Sequence, residues 1–314
     1  METTTGIIIL NYNNSSDTIN CVESIFKVNT APIKIIIVDN GSKNEDLDIL
    51  KKYVLNREQM QMIIEVGCEV KDLPEITLLL SKRNLGYAGG NNLGLKLADC
   101  DDDINNILIV NNDILFIEDI IPILQTKYEE LDRCGILSPL LYTKDRVNID
   151  YTCARRSPSE WLLLIKYLTG DLGLFGLSIY FDSKNYLLNR RTKLNKIIKV
   201  DLPSGSCMFI NKELFRKINW FDEHTFLYYE ENILYKKLLS YNKQNYIITS
   251  IGCIHLGASS TKSKPSSFLI KCNSDSAFYY LSHYCNLNYI QKWLLLLAKK
   301  VMYLKYIIFK HKEK

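Results

Sequence analysis

Two adjacent acidic residues, Glu230 and Glu231, follow the aromatic-rich segment Phe226 to Tyr229 in this sequence of 314 residues. A helix is predicted from Glu230 to Ser240, so both carboxyl groups would stand in its first turn. The helix N-terminus stabilises a carboxylate and keeps it ionised, as a general base requires. The pair is therefore a candidate base for removing a proton from a hydroxyl group. An ordinary helix-capping acidic run remains the alternative.

A second candidate site combines a carboxylate with an imidazole. Asp113 ends the run Asn111-Asn112-Asp113, which follows a strand predicted from Ile107 to Val110, and His255 ends another predicted strand, Tyr246 to His255. A carboxylate oxygen and an imidazole nitrogen suit Mn²⁺, and suit Mg²⁺ less strictly. Two protein ligands would leave coordination positions for diphosphate oxygens and water. His255 taken alone would more often have a structural role.

Two polar turns are candidates for binding a nucleotide. Asp39-Asn40-Gly41-Ser42 offers a carboxylate that could accept a hydrogen bond from a ribose hydroxyl or a base N–H, although it is also an ordinary turn sequence. Asn84 to Asn92 is predicted to be a loop whose three glycines let the backbone approach a ligand closely. Its spacing is not G-x-G-x-x-G and it does not follow the first strand, which argues against a dinucleotide-binding site.

The elements that must position these residues alternate between strand and helix. Strands are predicted at residues 6–11, 33–38, 76–80 and 107–110, and helices at residues 17–28 and from 93 to 98 onward. This alternation predicts an α/β fold with a doubly wound, mostly parallel sheet. Ligands bind outside the carboxyl ends of such strands, where Asn11, Asp39, Asn84 and Asp113 stand. Val200 to Ile210 is predicted to be a further strand.

Seven stretches together resemble the family 2 inverting glycosyltransferases of GT-A fold, especially the bacterial rhamnosyltransferase-like branch. They are IIILNYNNSSDTINCVESI, IIIVDNGS, NLGYAGGNN, ILIVNNDI, LPSGSCMFI, FDEHTFLYYEEN and HLGASS. Each stretch is weak alone, but the seven occur in the family's order across residues 6 to 260. The resemblance implies a glycosyltransferase domain over residues 1–265, with a nucleotide-binding half (1–115) and a metal and acceptor half (116–265). Residues 266–314 are predicted to be a helical C-terminal extension that could associate with a membrane.

The resemblance also implies roles for individual residues. The nucleotide sugar would be bound by Asn11, Asp39, Asn84, Gly86, Gly89, Gly90, Asn91 and Asn112. The sugar or acceptor side would be lined by Ser204, Gly205, Ser206, Trp220 and Asp222. Asp113 would be the main metal ligand, completed by His255. The second acid of the family's Glu-Asp pair resembles the catalytic base, and here it is Glu231, one methylene longer than usual, with Glu230 as the other candidate.

The function implied is inverting transfer of a sugar from a nucleotide-diphosphate donor to a hydroxyl of a lipid-linked glycan in cell-surface polysaccharide synthesis, with a divalent metal, Mn²⁺ or Mg²⁺, as cofactor. A nucleotidyltransferase is an alternative, but it would want basic residues in the first loop, and Asn11-Tyr12-Asn13-Asn14 has none. A non-catalytic nucleotide-sugar-binding subunit is a second alternative. Such a subunit would be expected to have lost the catalytic acids, whereas Asp113 and Glu231 are both acidic here.

The charge of the chain is unevenly distributed. Its formal charge of +4 on 314 residues is too small to indicate a nucleic-acid partner. Residues 292–314 nevertheless carry a net +6, and the rest of the chain carries a net −2. In this segment Lys292, Lys299 and Lys310 fall near one helical face and alternate with aromatic and aliphatic residues, a pattern that suits an anionic membrane surface. A helix packed on the protein core is the alternative, and deletion of residues 290–314 would discriminate between the two.

The remaining sequence features concern the compartment. The N-terminus has no basic segment before its short apolar run, which argues against a signal peptide. The nine cysteines form no C-x-x-C pair and are odd in number, which favours reduced thiols. No run of 18 apolar residues is present, so a spanning helix is not expected. The predicted location is cytoplasmic, peripheral on the inner face of the cell membrane.

Overall fold

The computed structural model describes residues 3–57, 61–68, 70–169, 185–188, 194–257 and 266–313. Twelve strands lie in these ranges: β1 (Thr4–Asn11), β2 (Ile33–Asn40), β3 (Gln61–Glu65), β4 (Ile76–Ser81), β5 (Ile104–Asn111), β6 (Ile114–Phe116), β7 (Cys134–Thr143), β8 (Ala154–Arg155), β9 (Ile197–Val200), β10 (Leu202–Pro203), β11 (Cys207–Asn211) and β12 (Gln244–His255). The α-helices are α1 (Ser15–Val28), α2 (Asn44–Leu55), α3 (Gly86–Asp99), α4 (Ile121–Glu130), α5 (Glu160–Leu168), α6 (Lys212–Lys217), α7 (Glu230–Ser240), α8 (Ser266–His283) and α9 (Tyr289–Lys312).

The central sheet brings the predicted site residues to one edge. Its strand order is β3-β4-β2-β1-β5-β11-β7-β12-β6, with β9 paired to β12. Strands β1 to β5 pair in parallel, β11 runs antiparallel to both β5 and β7, and β12 is parallel to β7. The carboxyl ends of β1, β2, β5 and β12 and the start of β11 therefore share one edge. The predicted α/β, mostly parallel sheet is confirmed.

Each face of the sheet buries its own layer of helices, because alternate residues of a strand point to opposite faces. Ile7 and Ile9 of β1 belong to the apolar cluster that also holds Cys21, Val22 and Ile25 of α1. Ile8 belongs to the opposite cluster, which includes residues of α3, α6 and α7. Strands buried on both faces appear in the sequence as continuous aliphatic runs, which is why they could be predicted.

The two C-terminal helices, α8 and α9, pack with α5 against α7. A third apolar cluster joins Leu164 and Tyr167 of α5, Ile233 of α7, Leu281 of α8 and Met302 of α9. Helix α9 begins with a capping box in which Asn288 and Gln291 bond each other's backbone N–H groups. The C-terminal helices that the sequence predicted are present. The predicted domain boundary at residue 265 lies outside the described residues and stays a prediction.

Two local predictions are wrong. Residues 84–92 are not all loop, because α3 already begins at Gly86. The small residues of its first turns face the sheet, since a Cβ at Gly90 would come within 2.5 Å of Leu10 Cδ1 and 2.8 Å of Asn40 Nδ2. Residues 200–210 are not one strand either. Leu202–Pro203 pairs with β8, and the chain turns at Ser204 to Ser206 before β11 begins.

All nine cysteines lie within the described ranges as free thiols. Among the helices of the described residues, none has the length and apolar character needed to cross a bilayer. The sequence has an apolar stretch at residues 161–180 and a basic stretch at residues 182–199, and both lie partly outside the described residues.

Candidate active site

Asn11 and Asp39 end neighbouring parallel strands and are bonded to each other. The Asn11 amide donates to Asp39 Oδ1 (3.0 Å) and accepts from the Thr18 hydroxyl (2.8 Å). The second oxygen of Asp39 accepts from the backbone N–H of Ser42 at 3.1 Å. Both side chains are almost fully buried. The network therefore fixes the strand ends and the turn after β2, which together form the floor of the predicted nucleotide side.

The start of α3 connects this floor to the segment before the acidic pair. Asn40 bonds the backbone of Leu85 and Gly86 and the side chain of Asn84, which fixes the entry to the helix. Gly86 has a φ of +75°, and a Cβ there would lie 2.1 Å from the Phe226 carbonyl oxygen. Tyr87 N–H donates to that same oxygen at 2.8 Å. A glycine is thus required where the two segments touch.

The other predicted residues of this side are held by protein partners. Asn92 bonds both the N–H and the carbonyl of Phe221, and the amide group of Asn112 donates to the Thr18 hydroxyl. Asn91 donates to the Tyr87 carbonyl, while its own buried Oδ1 has no hydrogen-bond partner in the part of the chain described. A Cβ at Gly89 would lie 2.9 Å from Leu85 Cβ. These contacts position α3 and α1 around the strand ends.

Asp113 and His255, predicted from distant parts of the sequence, lie together at the sheet edge. His255 Nε2 is 3.5 Å from Asp113 Oδ2, and its Nδ1 is 2.9 Å from Asp150 Oδ2. Burial lowers the pKa of His255, but the hydrogen bonds and charges of Asp113 and Asp150 outweigh it and raise the pKa to about 9. Asp150 was not predicted, and no spacing pattern in the sequence marks it.

The turn Ser204-Gly205-Ser206 bridges the two acidic centres. The Ser206 hydroxyl lies 3.5 Å from His255 Nε2 and accepts from the Asn111 amide at 3.2 Å. On the other side, Gly205 N–H donates to Glu231 Oε1 at 3.0 Å. Tyr87 donates its hydroxyl to the Gly205 carbonyl at 2.7 Å. The structure therefore brings the predicted metal residues and the predicted base into one continuous site.

The backbone before the acidic pair is strained. Tyr228 and Tyr229 both have a positive φ, 75° and 69°, and Tyr229 is the N-cap residue of α7. Non-glycine residues rarely adopt this conformation, and such strain clusters at functional sites. Hydrogen bonds from two helices help to hold the segment: the hydroxyls of Tyr167 and Tyr229 are 2.8 Å apart, and Ser276 donates to the Leu227 carbonyl at 2.9 Å. Helices α5 and α8 thus hold the strained turn.

Glu230 and Glu231 have different environments. Burial, together with the charge of Glu231, raises the pKa of Glu230 to about 8, and its buried Oε1 has no hydrogen-bond partner among the described residues. The Glu231 side chain is 21% exposed, and its Oε1 lies 3.5 Å from Nη2 of Arg155. Glu231 also lines a cavity of about 290 Å³. The raised pKa of Glu230 therefore favours a neutral carboxyl at that position, while Glu231 faces the cavity.

Two residues predicted for the sugar or acceptor side lie elsewhere. Trp220 is buried in the apolar cluster below α7, with its ring edge on Phe215. Asp222 accepts hydrogen bonds from the hydroxyls of Tyr279 (2.9 Å) and Tyr284 (2.6 Å). These contacts tie the segment before α7 to α8 and do not bring either side chain to the cavity beside Glu231.

Residues 6–218 match the family model described as glycosyl transferase family 2. The chain belongs to glycosyl transferase family 2. The match covers β1 to α6, and so includes the strand-end residues, Asp113 and the Ser204–Ser206 turn. The family membership predicted from the seven sequence stretches is confirmed.

The chain is also similar to the low-salt glycan biosynthesis hexosyltransferase Agl10 of Haloferax volcanii. It is 26% identical over 226 residues, which make up 72% of this chain and 58% of Agl10. The chain therefore spans less than two thirds of the length of that relative.

Solved structures share the fold. GalNAc-T7, crystallised with UDP, GalNAc and Mn²⁺, superposes with a TM-score of 0.61 at 14% identity, over 89% of this chain and 48% of its own. S. aureus TarS 1-349 in complex with UDP gives a TM-score of 0.51 at 12% identity, over 93% of this chain and 70% of the TarS chain. This likeness confirms the GT-A fold that the sequence predicted.

Proposed function

We propose that this chain is an inverting glycosyltransferase that moves a sugar from a nucleotide-diphosphate donor to a hydroxyl group of a lipid-linked glycan in cell-surface polysaccharide synthesis. The observation that carries the proposal is the continuous site running from Asp113 and His255 through Ser206 and Gly205 to Glu231. Family membership, a hexosyltransferase relative and structural neighbours crystallised with UDP support it.

Glu231 is the proposed base. Its carboxylate lines the cavity and is oriented by the Gly205 N–H, whereas the raised pKa of buried Glu230 favours a neutral carboxyl near pH 7. Glu231 takes the proton of the acceptor hydroxyl as that oxygen forms a bond to the anomeric carbon. The bond from that carbon to the diphosphate breaks on the opposite face, so a single displacement inverts the configuration.

Asp113 and His255 are the proposed ligands of a divalent ion, Mn²⁺ or Mg²⁺. The donor set fits such an ion, because buried Oδ1 of Asp113 has no hydrogen-bond partner in the described part of the chain. No group of three or more His, Cys, Asp or Glu side chains within the described ranges is arranged to hold a metal, so substrate oxygens and water would supply the other ligands. When bound, the ion neutralises the charge of the departing diphosphate.

The nucleotide part of the donor is proposed to lie over the strand ends at Asn11 and Asp39 and over the N-terminus of α3. That helix carries no acid in its first turn, so the positive end of its dipole favours a negatively charged ligand nearby. The structure of TarS with UDP and that of GalNAc-T7 with UDP support a uridine nucleotide as the first donor to assay.

The outer faces of α5 and α9 are the proposed contact with an anionic membrane surface, on the cytoplasmic side. Helix α9 buries Leu295, Ala298 and Met302 and exposes Trp293 and Leu296 by 56% and 60%. Trp161 and Ile165 are exposed on the adjoining helix α5. Exposed aromatic and aliphatic side chains beside lysines suit the headgroup region of an anionic bilayer.

The test compares Glu231→Gln with Glu230→Gln in a sugar-transfer assay that screens a panel of nucleotide sugars by mass spectrometry. Glu231→Gln should abolish transfer and leave donor binding nearly unchanged, because the amide cannot accept the proton. Near-normal transfer by Glu231→Gln together with inactive Glu230→Gln would overturn the assignment of the base. Absence of transfer and donor hydrolysis in the unmodified protein across the whole panel would overturn the proposed function itself.

A further inference from the structure

A cavity of about 290 Å³ opens beside Glu231, between α5, α7 and the segment that follows the 3₁₀ turn at Tyr151–Cys153. Its described lining combines aromatic and aliphatic side chains with three basic residues, Arg155, Arg156 and Lys166, against one acid, Glu231. A neutral glycan would need no such excess of positive charge. The cavity therefore has the composition of a site for a negatively charged group next to an apolar or sugar-ring surface.

Arg155 is held in place by its backbone but not by its side chain. Its main chain pairs with Leu202 across β8 and β10, and its carbonyl accepts from Asp201 N–H at 3.2 Å. In the side chain, Nη2 lies 3.5 Å from Glu231 Oε1, a long contact, and buried Nε has no hydrogen-bond partner among the described residues. A buried guanidinium N–H without an acceptor is costly, so this donor points to a ligand that would supply one.

Arg156 adds a second guanidinium to the wall of the cavity. Its backbone N–H donates to the Asn185 carbonyl at 2.7 Å, which fixes the main chain, while its side chain is exposed on the cavity lining. Neighbouring guanidinium groups bind carboxylate and phosphate oxygens through paired N–H donors. This Arg-Arg doublet lies outside the seven family-like stretches, so no motif marks it in the sequence.

The position of the cavity assigns it to the acceptor. Its lining includes Glu231, the proposed base, but neither Asp113 nor His255, where the diphosphate of the donor is proposed to lie, nor the strand ends at Asn11 and Asp39. An anion held by Arg155 and Arg156 would therefore approach the base from the side away from the donor. This step rests on the proposed function, because only that function makes Glu231 the boundary between donor and acceptor.

We propose that this cavity binds an anionic acceptor, one that carries a phosphate or a carboxylate group close to the hydroxyl that receives the sugar. Arg155 and Arg156 hold the anion, and the neighbouring tyrosines and leucines contact the ring or chain that bears it. The site recognises the negative charge of this group. Such a group could be a phosphate of a lipid carrier or the carboxylate of a uronic acid.

The experiment uses three matched probes: methyl glucoside, methyl glucuronide and methyl glucoside 6-phosphate, which differ only in the group at carbon 6. Ligand-observed NMR titration of the full chain, without donor or metal, measures their affinities. At least one of the two anions should bind about tenfold more tightly than the neutral glucoside, which corresponds to about 1.4 kcal/mol, because a hydrogen bond to a charged group is stronger than one between neutral groups. Preference for the phosphate indicates a carrier phosphate, and preference for the carboxylate indicates a uronic acid.

Arg155→Gln and Arg156→Gln should each remove most of this preference. Arg133→Gln is the matched control, because Arg133 is a 62% exposed arginine that does not line the cavity, and it should leave the affinities unchanged. Exposed Arg156 can be replaced with little risk to folding, so its variant remains informative if Arg155→Gln unfolds. Equal binding of the three probes, no detectable binding of either anion, or anion binding that survives Arg156→Gln would overturn the proposal. Because no donor is present, this result is independent of whether Glu231 catalyses transfer.

Discussion

The backbone N–H of Gly205 donates to Oε1 of Glu231 at 3.0 Å, across 26 residues of sequence. The carbonyl oxygen of the same glycine accepts a hydrogen bond from the Tyr87 hydroxyl of α3, and the neighbouring residue Ser206 contacts His255. One turn therefore touches the proposed base, the nucleotide-side helix and the proposed metal ligands. Movement of this turn would disturb all three at once.

Gly205→Ala should lower the rate of transfer much more than it lowers stability. A Cβ at this position would lie 3.0 Å from Glu231 Oε1 and 3.1 Å from the Tyr87 hydroxyl, so the carboxylate must shift. Small displacements of a reacting group cost on the order of 100-fold in rate. Steady-state kinetics and a thermal unfolding scan measure the two effects, and unchanged kcat would contradict the role given to the turn.

Glu230 should make the protein less stable as the pH rises. Its pKa is about 8 in the folded chain against an ordinary value of 4.5, so the folded state holds the proton more tightly. The resulting stabilisation is complete below pH 4.5 and is lost as the pH rises to about 8, by up to roughly 1.4 kcal/mol per pH unit. The free energy of unfolding from denaturant titrations should therefore fall with pH.

Glu230→Gln should flatten this dependence. The slope is best compared between about pH 5 and 6.5. The pKa of His255 is about 9 in the folded chain and 6.5 in the unfolded chain, so its contribution to the pH dependence lies mainly above this range. Glu213→Gln on α6 serves as control, since that carboxylate is 65% exposed. An unaltered slope in Glu230→Gln would show that Glu230 ionises normally.

The sequence identified the strand ends well and the turns poorly. Continuous aliphatic runs predicted β1, β2 and β5, and a parallel sheet then required Asn11, Asp39 and Asp113 to share an edge. The glycines of residues 84–92 predict a loop, because glycine disfavours helix, yet Gly90 is needed for α3 to pack closely on Leu10 and Asn40. Asp150 and Arg155 carry no local signal, since only the chain path through β8 brings them to the site.

Asp113→Asn should abolish the gain in donor affinity that Mn²⁺ provides. The amide keeps the shape of the side chain but removes the charge, and an oxygen-bound divalent ion depends on that charge. Calorimetric titration of UDP with and without Mn²⁺ measures the difference. Asp48→Asn, an exposed acid on α2, is the control. Equal metal-dependent affinity in Asp113→Asn and the unmodified protein would exclude Asp113 as a ligand.

Gly86→Ala should destabilise the protein strongly. The new Cβ would meet the Phe226 carbonyl oxygen at 2.1 Å, and φ at this position is +75°. Left-handed backbone alone costs an alanine roughly 1–2 kcal/mol, and the steric overlap adds to it. Gly67→Ala separates the two effects, because its φ is +102° but no atom lies within 4 Å of the added Cβ. Equal losses of unfolding free energy in both variants would contradict the close approach at Phe226.

Trp293→Ser combined with Leu296→Ser should weaken binding to vesicles that contain anionic lipid. Deletion of residues 290–314 would also remove Leu295 and Met302, which pack against α5 and α8, so it would confound folding with binding. The exposed pair can be changed without that loss. Leu239→Ser, 45% exposed on α7, is the control. Co-sedimentation that is the same for the double variant and the control would exclude this face as the contact.

The left-handed backbone of Tyr228 and Tyr229 limits which residues a homologue without α8 can have at these two positions. Relaxing those tyrosines would release strain, and the bonds from Tyr167 and Ser276 oppose that relaxation. Helix α8 therefore stabilises the strained turn that precedes the acidic pair. A shorter homologue that lacks α8 should carry glycine or asparagine at one of the two tyrosine positions, because these residues adopt a positive φ more readily.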